Sequence, residues 1–525
     1  MIIQGNKLNK NFGGDPLFNE LSITINQGAK IGLVGANGSG KSTLLKILAG
    51  EEGVDGGTVS RQKGIRISQL VQIQMDSVLT VEAYLLKNFT EIDNVAQRMR
   101  HFETELANPQ ADFDSLLEKY GRLQQTYEEL GGYTLGDRIT TTLKGLGLGD
   151  KADVCVNQLS GGQRLRLELA KVLLTEADCL FLDEPTNHLD LAGIEWLENY
   201  LKNTKQSYVL ISHDREFLNR TVNQIFEIEE GKLIDYPGNY ERFIELKKAR
   251  IAEIQKNFEL QQKEILRLKK QIRQFRQWGH EGDNEDFFRK AKELERRLAK
   301  IEIIKAPTEH KNKLADVKTT KKVSKEILTV KDLALFGGEE LLFSDANFTI
   351  FRGERVALKG ANGSGKSTLI KAILNELAAD EGSVKLAASV KVGYLPQILP
   401  TKDSSETLLS YTQEFIGEEE KTRRKLAQFG FYATDVFKRV KNLSGGEQLR
   451  LALLEILQKE INFLIMDEPT NHLDIATREE IEEILLNYPG TLLLVSHDRF
   501  FLKKICRQEL RIADGTLTKF ENYAT

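Results

Sequence analysis

Cysteine is scarce in this sequence. Cys155, Cys179 and Cys506 lie far apart and form no CxxC pair. That argues against a disulfide framework, an iron–sulfur cluster or a cysteine-held zinc ion, and it suits a reducing, cytoplasmic location. Long apolar runs are missing as well. The longest, such as "TLLLV" at 491–495, are strand-sized, far short of the roughly 18 residues of a membrane helix. The start, "MIIQGNKLNKNF", turns polar within five residues, so no secretory leader is read there. A surplus of positive charge is also lacking: 73 Lys and Arg against 77 Asp and Glu leave −4, so the chain as a whole is not a basic nucleic-acid binder. No low-complexity tract interrupts a composition that is ordinary for a soluble globular protein. A length of 525 residues sets a prior of about three or four domains.

An internal repeat is present. "GANGSGKST" stands at 35–43 and again, residue for residue, at 360–368. "FGGDPLF" at 12–18 answers "FGGEELLF" at 336–343, and "LSGG" at 159–162 answers 443–446. "DEPTNHLD" at 183–190 answers 467–474, and "SHDR" at 212–215 answers 496–499. The chain therefore reads as two homologous halves, 1–240 and 323–525. The offset between copies is 325 at the glycine loop and at Gln72 and Gln397, but 284 from "LSGG" onward, so the first half carries 41 extra residues. These fall in a helical arm at about 85–135. "EIDNVAQRMRHFETELA" is rich in helix formers, and "NPQAD" reads as a turn. Phe113, Leu116, Leu117, Tyr120, Leu123 and Tyr127 then recur at helical spacing on one side. A plain surface insertion is the alternative, since loops absorb added length cheaply.

The halves are joined by a linker, 241–322. Ile251, Ile254, Phe258, Ile265, Leu268, Ile272 and Phe275 alternate three and four apart, with only Gln261 off the pattern. This is a coiled-coil seam. "WGHEGDNED" at 278–286 should break it, and Phe287, Ala291, Leu294, Leu298 and Ile301 resume it, which predicts an antiparallel helical hairpin with its tip at 278–286. Pro307 ends the hairpin and a polar segment leads to the second half. Residues 241–305 hold 18 Lys and Arg against 12 Asp and Glu, a surplus of six, so the remainder of the chain carries −10. A basic rod on an acidic body points to a polyanionic partner; the bland reading is a solvated coiled coil kept soluble by its lysines.

"GANGSGKS" fits the phosphate-binding pattern G-x-x-x-x-G-K-[ST]. Its glycines let successive backbone N–H groups wrap a phosphate at the positive end of the following helix. The first copy offers Gly35, Asn37, Gly38, Gly40, Lys41, Ser42 and Thr43; the second offers Gly360, Asn362, Gly363, Gly365, Lys366, Ser367 and Thr368. Lys41 and Lys366 should reach the β- and γ-phosphates, and Ser42 and Ser367 should ligate Mg²⁺. "CLFLDE" and "NFLIMDE" are apolar strands ending in two acids. Asp183 and Asp467 suit the metal shell, and Glu184 and Glu468 stand where a base polarises the attacking water.

With two "LSGG" signatures, a glutamine between loop and signature, and a histidine in each "SHDR", the chain resembles a tandem ATP-binding-cassette protein. The doubled "DEPTNHLD" and the charged hairpin make it similar to the ABC-F family over essentially its whole length. The resemblance implies an α/β fold of two P-loop cassettes, each a RecA-like core with antiparallel β and α-helical subdomains, paired head to tail within one monomer. Site 1 would use Phe12 for base stacking, then Lys41, Ser42, Gln72, Asp183, Glu184 and His213, closed by Ser444 and Gly446. Site 2 would use Phe336, Lys366, Ser367, Gln397, Asp467, Glu468 and His497, closed by Ser160 and Gly162. Gln72 and Gln397 join the Mg²⁺ sets, and Glu184, Glu468, His213 and His497 are the catalytic groups. Phe12 reads equally well as a core residue.

The family resemblance further implies ATP hydrolysis, ribosome binding at the exit site of the large subunit, and a linker that reaches P-site tRNA and rRNA at the peptidyl-transferase centre. Lys269, Lys270, Arg273, Arg276 and Arg289 would meet RNA phosphates without reading sequence, and Trp278 and His280 would stack on bases; Trp278 reads equally as a cap on the hairpin core. The resemblance is read as that of a translation factor, with an antibiotic-resistance ribosomal protection protein of the same family as the alternative. A transporter ATPase working with separate membrane subunits is the more remote reading, and no membrane subunit is expected.

Overall fold

Alternating apolar residues set the outer strands and continuous apolar runs set the central ones. The computed structural model describes residues 1–522 apart from 13–14, 71–76, 107–112, 188, 283–284, 303, 305–323, 339, 362, 401–403 and 471–472. Contact density separates a unit of Met1–Asp235 with Asn312–Thr525 from a unit of Tyr236–Lys311.

The first cassette opens with the antiparallel pair β1 (Ile3–Phe12) and β2 (Asp15–Ile25). Leu21, Ile23 and Ile25 alternate with polar residues and are buried, so one face of this hairpin covers core and the other meets water. Then come β3 (Lys30–Gly35), α1 (Lys41–Ala49), β4 (Gly56–Arg61), β5 (Ile67–Gln69) and α2 (Val81–Leu86). The arm is α3 (Thr90–Leu106) and α4 (Phe113–Glu129), tied by Tyr120 Oη donating to Glu103 Oε1 at 2.8 Å. Leu116, Tyr120, Leu123 and Tyr127 are half-buried, but Leu117 faces solvent. The helical spacing is right, yet two helices cover a stripe too narrow to shelter Leu117 as well.

The cassette continues with α5 (Leu135–Gly145), α6 (Gly161–Leu174), β6 (Cys179–Asp183), α7 (Leu191–Asn203), β7 (Ser207–Ile211), α8 (Arg215–Thr221), β8 (Gln224–Glu229) and β9 (Lys232–Pro237). The main sheet runs β5-β6-β7-β3-β8-β9, with β5 through β8 parallel in that order. Strands β6 and β7, "CLFLD" and "SYVLI", are buried almost throughout, which is why they read as unbroken apolar runs.

Two helices form the linker unit, α9 (Tyr240–Gly282) and α10 (Glu285–Ala299). At 1.5 Å per residue α9 is about 65 Å long. Leu268 and Ala291 are the buried residues of the seam, and Ile251, Ile254, Phe258, Ile265, Ile272, Phe275, Phe287, Leu294 and Leu298 are half-buried. The one polar seam position is accounted for: Gln261 donates to Glu302 O at 2.7 Å and accepts from Ile304 N at 2.8 Å, capping the chain as it leaves the second helix.

Within the tip expected at 278–286, α9 continues through Trp278, Gly279 and His280 to Gly282 and α10 starts at Glu285, and residues 283–284 lie outside the described residues. Gly279 helps here: a Cβ on it would lie 2.8 Å from Phe288 Cε2, so its bare backbone lets the returning helix close in. Trp278 packs edge-on against Phe275 and Phe287, at 5.9 and 5.7 Å between centroids, yet stays 42% exposed.

The second cassette repeats the plan: β10 (Glu326–Gly337), β11 (Glu340–Phe351), β12 (Arg355–Gly360), α11 (Lys366–Ile373), β13 (Glu381–Leu386), β14 (Val392–Leu395), α12 (Leu408–Ile416) and α13 (Glu419–Gln428). It ends with α14 (Gly445–Gln458), β15 (Phe463–Asp467), α15 (Ile475–Asn487), β16 (Thr491–Val495), α16 (Arg499–Ile505), β17 (Gln508–Ala513) and β18 (Thr516–Phe520). Its strands join in one nine-stranded sheet through the single pair Ser344 and Thr516. The equivalent junction in the first cassette is Asn19 N donating to Gly231 O at 3.2 Å, matching Ser344 N to Gly515 O at 3.1 Å. Helix α11 and both β layers share one core, while α14, α15 and α16 pack on the sheet's opposite face.

Two candidate ATP sites

Each glycine loop runs from the end of a central strand into a helix. Gly40 and Gly365 occupy the positions before α1 and α11 with φ of 92° and 97°, and no side chain caps either helix. A Cβ at Gly40 would lie 2.6 Å from Phe18 Cε1, so conformation and space both require glycine there. The uncapped N–H groups and the helix dipole make each loop an anion cradle. Lys41 Nζ donates to Gly35 O and Ala36 O at 2.9 and 3.0 Å, and Lys366 Nζ donates to Gly360 O and Ala361 O at 2.8 Å each. Burial lowers the pKa of both lysines, opposed by carboxylates that include one from the other cassette, Asp474 for Lys41 and Asp190 for Lys366.

The strand-end acids stand beside the loops. Ser367 Oγ donates to Asp467 Oδ2 at 3.3 Å, a hydroxyl and a carboxylate of the hard-oxygen type that Mg²⁺ takes, and burial raises the Asp467 carboxyl. Ser42 and Asp183 are the matching pair in the first cassette. Glu184 and Glu468 are in the left-handed region, φ 49° and 48°, a strained setting for a non-glycine residue. Each is held there by its own N–H, which donates to Ile211 O at 2.9 Å and Val495 O at 2.8 Å respectively.

The twist turns each carboxylate toward a histidine: His213 Nε2 lies 3.5 Å from Glu184 Oε1, and His497 Nε2 lies 3.4 Å from Glu468 Oε1. Burial pushes Glu184 up to about 8 and Glu468 up to about 7. Burial, then the nearby loop lysine, pushes His213 down to about 3 and His497 down to about 4. Each centre thus sets a histidine whose charged form is disfavoured beside a carboxyl whose proton affinity burial has raised toward neutrality, the range that suits a general acid–base group.

A cavity of about 540 Å³ joins the cassettes at site 2, within the usual range for a ligand pocket. Gly363, Gly365, Lys366, Ser367, Thr368, Gln397, Asp467, Glu468 and His497 line it from one side; Glu184, Asn187, Leu189 and Asp214 line it from the other. Across site 1, Asn37 N donates to Asp474 Oδ2 of the second cassette at 3.0 Å.

The signature residues Ser160, Gly162, Ser444 and Gly446 do not line this cavity. Ser160 Oγ accepts from Gln163 N and Ser444 Oγ accepts from Glu447 N, each forming a capping box at the start of its helix. Phe336 is 39% exposed on β10 and is not among the lining residues. Gln72, Asn362 and the ring of Phe12 lie outside the described residues. In the linker unit Lys269, Lys270, Arg273, Arg276, His280 and Arg289 are exposed, though Arg276 pairs with Glu295 at 2.7 Å, Arg289 pairs with Asp286 at 2.9 Å, and His280 packs edge-on against Phe288 at 5.1 Å.

Reading the motifs missed a buried ionic interface between the cassettes. Arg215 is 2% exposed and bonds Glu482, which is fully buried, while Arg499 bonds the buried Glu198. These bridges are related by the repeat, 215 to 499 and 198 to 482, both at the 284 offset. Lys504 supports Glu482 at 2.8 Å and Arg220 supports Glu198 at 3.1 Å. The available signal was the Arg of "SHDR" recurring together with an acid at one helix position in both halves.

Twin phosphate loops, strand-end acid pairs and facing histidines on paired α/β cores define a tandem P-loop ATPase of the ATP-binding-cassette class. A family model described as "ABC transporter" matches residues 18–187 and 343–471, and a second with the same description matches 226–315. The chain is 38% identical over 527 residues to the ATP-binding protein YdiF of Bacillus subtilis, covering 99% of this chain and 81% of that one. It is 34% identical over 525 residues to the energy-dependent translational throttle protein EttA of Escherichia coli, covering 97% and 92%. It is 33% identical over 527 residues to ABC transporter F family member 2 of Arabidopsis thaliana, covering 98% and 76%. In fold it is similar to the archaeal ribosome recycling factor aABCE1, with TM-score 0.61 at 19% identity, covering 98% of this chain and 89% of that one. The chain belongs to the ABC-F family of tandem ATP-binding-cassette ATPases.

Proposed function

We propose that this protein is an ATP-hydrolysing translation factor that binds the ribosome in its ATP-bound, closed state and leaves after hydrolysis. The observation that carries the reading is the pairing of two complete carboxylate–histidine centres with a basic helical hairpin inserted between the cassettes in sequence. It is supported by the likeness to EttA, named as a translational throttle. In the finer form of the reading, the closed protein occupies the exit site of the large subunit. Residues 241–305 meet rRNA and the P-site tRNA beside the peptidyl-transferase centre, and the arm at about 85–135 makes a separate ribosomal contact.

The residues present fit ATP and Mg²⁺. Uncapped helix N-termini and glycine loops suit the phosphates. Ser42 and Asp183 in site 1, and Ser367 and Asp467 in site 2, would hold the metal, with Gln72 and Gln397 completing the two sets. Bound Mg²⁺ supplies charge neutralisation at the β- and γ-phosphates. Lys41 and Lys366 then exchange their loop carbonyls for phosphate oxygens. Glu184 and Glu468 take a proton from the attacking water, and His213 and His497, neutral, hold its orientation. Loss of the γ-phosphate removes what joins the two surfaces, and the clamp opens.

The test is the Glu184→Gln, Glu468→Gln variant, which binds ATP without a general base. It is expected to accumulate on ribosomes when ATP is present, read by co-sedimentation. Failure to accumulate refutes the clamp reading.

A further inference from the structure

We propose that Arg478 is a positioning residue which the second cassette contributes to site 1, and that it makes the two ATP sites hydrolyse at unequal rates. Arg478 lies in the first turn of α15 and is 8% exposed. Its Nε donates to Leu473 O at 3.1 Å, and its Nη1 donates to the main-chain oxygen of His213 at 2.7 Å and to Asp498 Oδ2 at 3.0 Å. The rigid guanidinium therefore holds the backbone that carries the site 1 histidine, across the cassette interface. One turn earlier on the same segment, Asp474 accepts from the phosphate-loop Asn37 N at 3.0 Å. A single helix start in the second cassette thus grips both the loop and the histidine of site 1.

Among the described residues, no side chain of the first cassette bonds the main-chain oxygen of His497. The 284 offset that relates the halves puts Ile194 opposite Arg478. Ile194 is 2% exposed and apolar, with no donor to offer the His497 backbone. The histidines differ accordingly: the side chain of His213 is 9% exposed and that of His497 is 29% exposed. The backbone of His213 is thus held from the other cassette, whereas the His497 backbone N–H donates to Glu468 Oε2 within its own cassette at 3.2 Å. Displacement of a catalytic group by about 1 Å can lower rates by about 100-fold, so loosening the grip is enough to separate the sites.

The inference rests on the ATPase reading above, and the experiment keeps the two apart. Single-turnover phosphate release from ATP is measured with Glu468→Gln, in which site 1 hydrolyses, and with Glu184→Gln, in which site 2 hydrolyses. Arg478 also lines the cavity at site 2, so adding Arg478→Ile, which makes the second cassette match the first, is expected to slow site 1 by up to about 100-fold at unchanged ATP affinity of that site, and to slow site 2 clearly less. Arg478→Lys keeps a charge beside Asp498 but lacks the fork. It guards against misfolding and is expected to slow site 1 selectively as well. Equal slowing of both sites by either variant, or no slowing of site 1, overturns the proposal. No phosphate release from either parent variant overturns the ATPase reading, and the proposal with it.

Discussion

Arg215 and Glu482 offer the sharpest test of how the cassettes are held together. Arg215 is 2% exposed, and its guanidinium lies 4.3 Å from the centroid of the Phe500 ring and bonds Glu482, which is fully buried. Changing Arg215 to Leu leaves Glu482 in the interior with Lys504 alone, 2.8 Å away. Breaking one partner of a buried pair costs about 3–5 kcal/mol, whereas replacing both with apolar residues is often neutral. Since Lys504 remains, the expected loss is at the lower end, about 3 kcal/mol. Glu482→Leu removes the buried carboxylate from Arg215, whose other contacts include Glu479, 3.9 Å away and half exposed, for a similar loss.

The double change should then cost well under the sum, with a coupling of about 2–3 kcal/mol. Urea unfolding measures it. The chain has two tryptophans, and Trp278→Phe leaves Trp196, on α7, as the reporter of the first cassette. Midpoints are compared at constant slope. Losses that add to within about 0.5 kcal/mol would refute the pairing. The repeat-related pair, Arg499 with Glu198, should couple less strongly, because the Arg499 side chain is 15% exposed against 2% for Arg215.

Two further outcomes follow from charge. Reversing Lys269, Lys270 and Arg273 to Glu should weaken ribosome binding and lower its log–log salt slope by up to about 3, while ATP hydrolysis by the free protein persists; loss of both would make the hairpin a structural strut. Burial, then the Asp498 charge, raises the Asp214 carboxyl above its ordinary 3.8. A raised acid stabilises the fold below that ordinary value and loses the contribution as pH rises. Asparagine keeps the acceptor for Phe217 N, 3.0 Å away, without the charge. Asp214→Asn should therefore gain thermal stability over the parent at pH 8 and gain less at pH 5, a difference on the order of 1 kcal/mol; the opposite trend would refute it.

What sequence makes legible here is local chemistry, and what it hides is pairing. A glycine loop has to be glycine because of φ and close approach within a few residues, as at Gly40 beside Phe18, so it can be read from one line of text. The strand-end acids are equally local. Arg215, Arg499, Glu198 and Glu482 look like ordinary solvated helix charges until two cassettes bury them together, and no property of either helix alone announces it. Gln261 looks like a seam defect until the departing chain at Glu302 and Ile304 supplies its partners. The repeat gives a way past this limit. Where a charged pair recurs at the 284 offset, as 215 with 482 and 499 with 198 do, the internal twofold predicts reciprocal contacts before any coordinates exist. Where the offset pairs unlike residues, as Arg478 with Ile194, it marks a point at which two otherwise interchangeable sites have been made different. Departures from internal symmetry are therefore the positions at which a duplicated enzyme should first be tested for a division of labour.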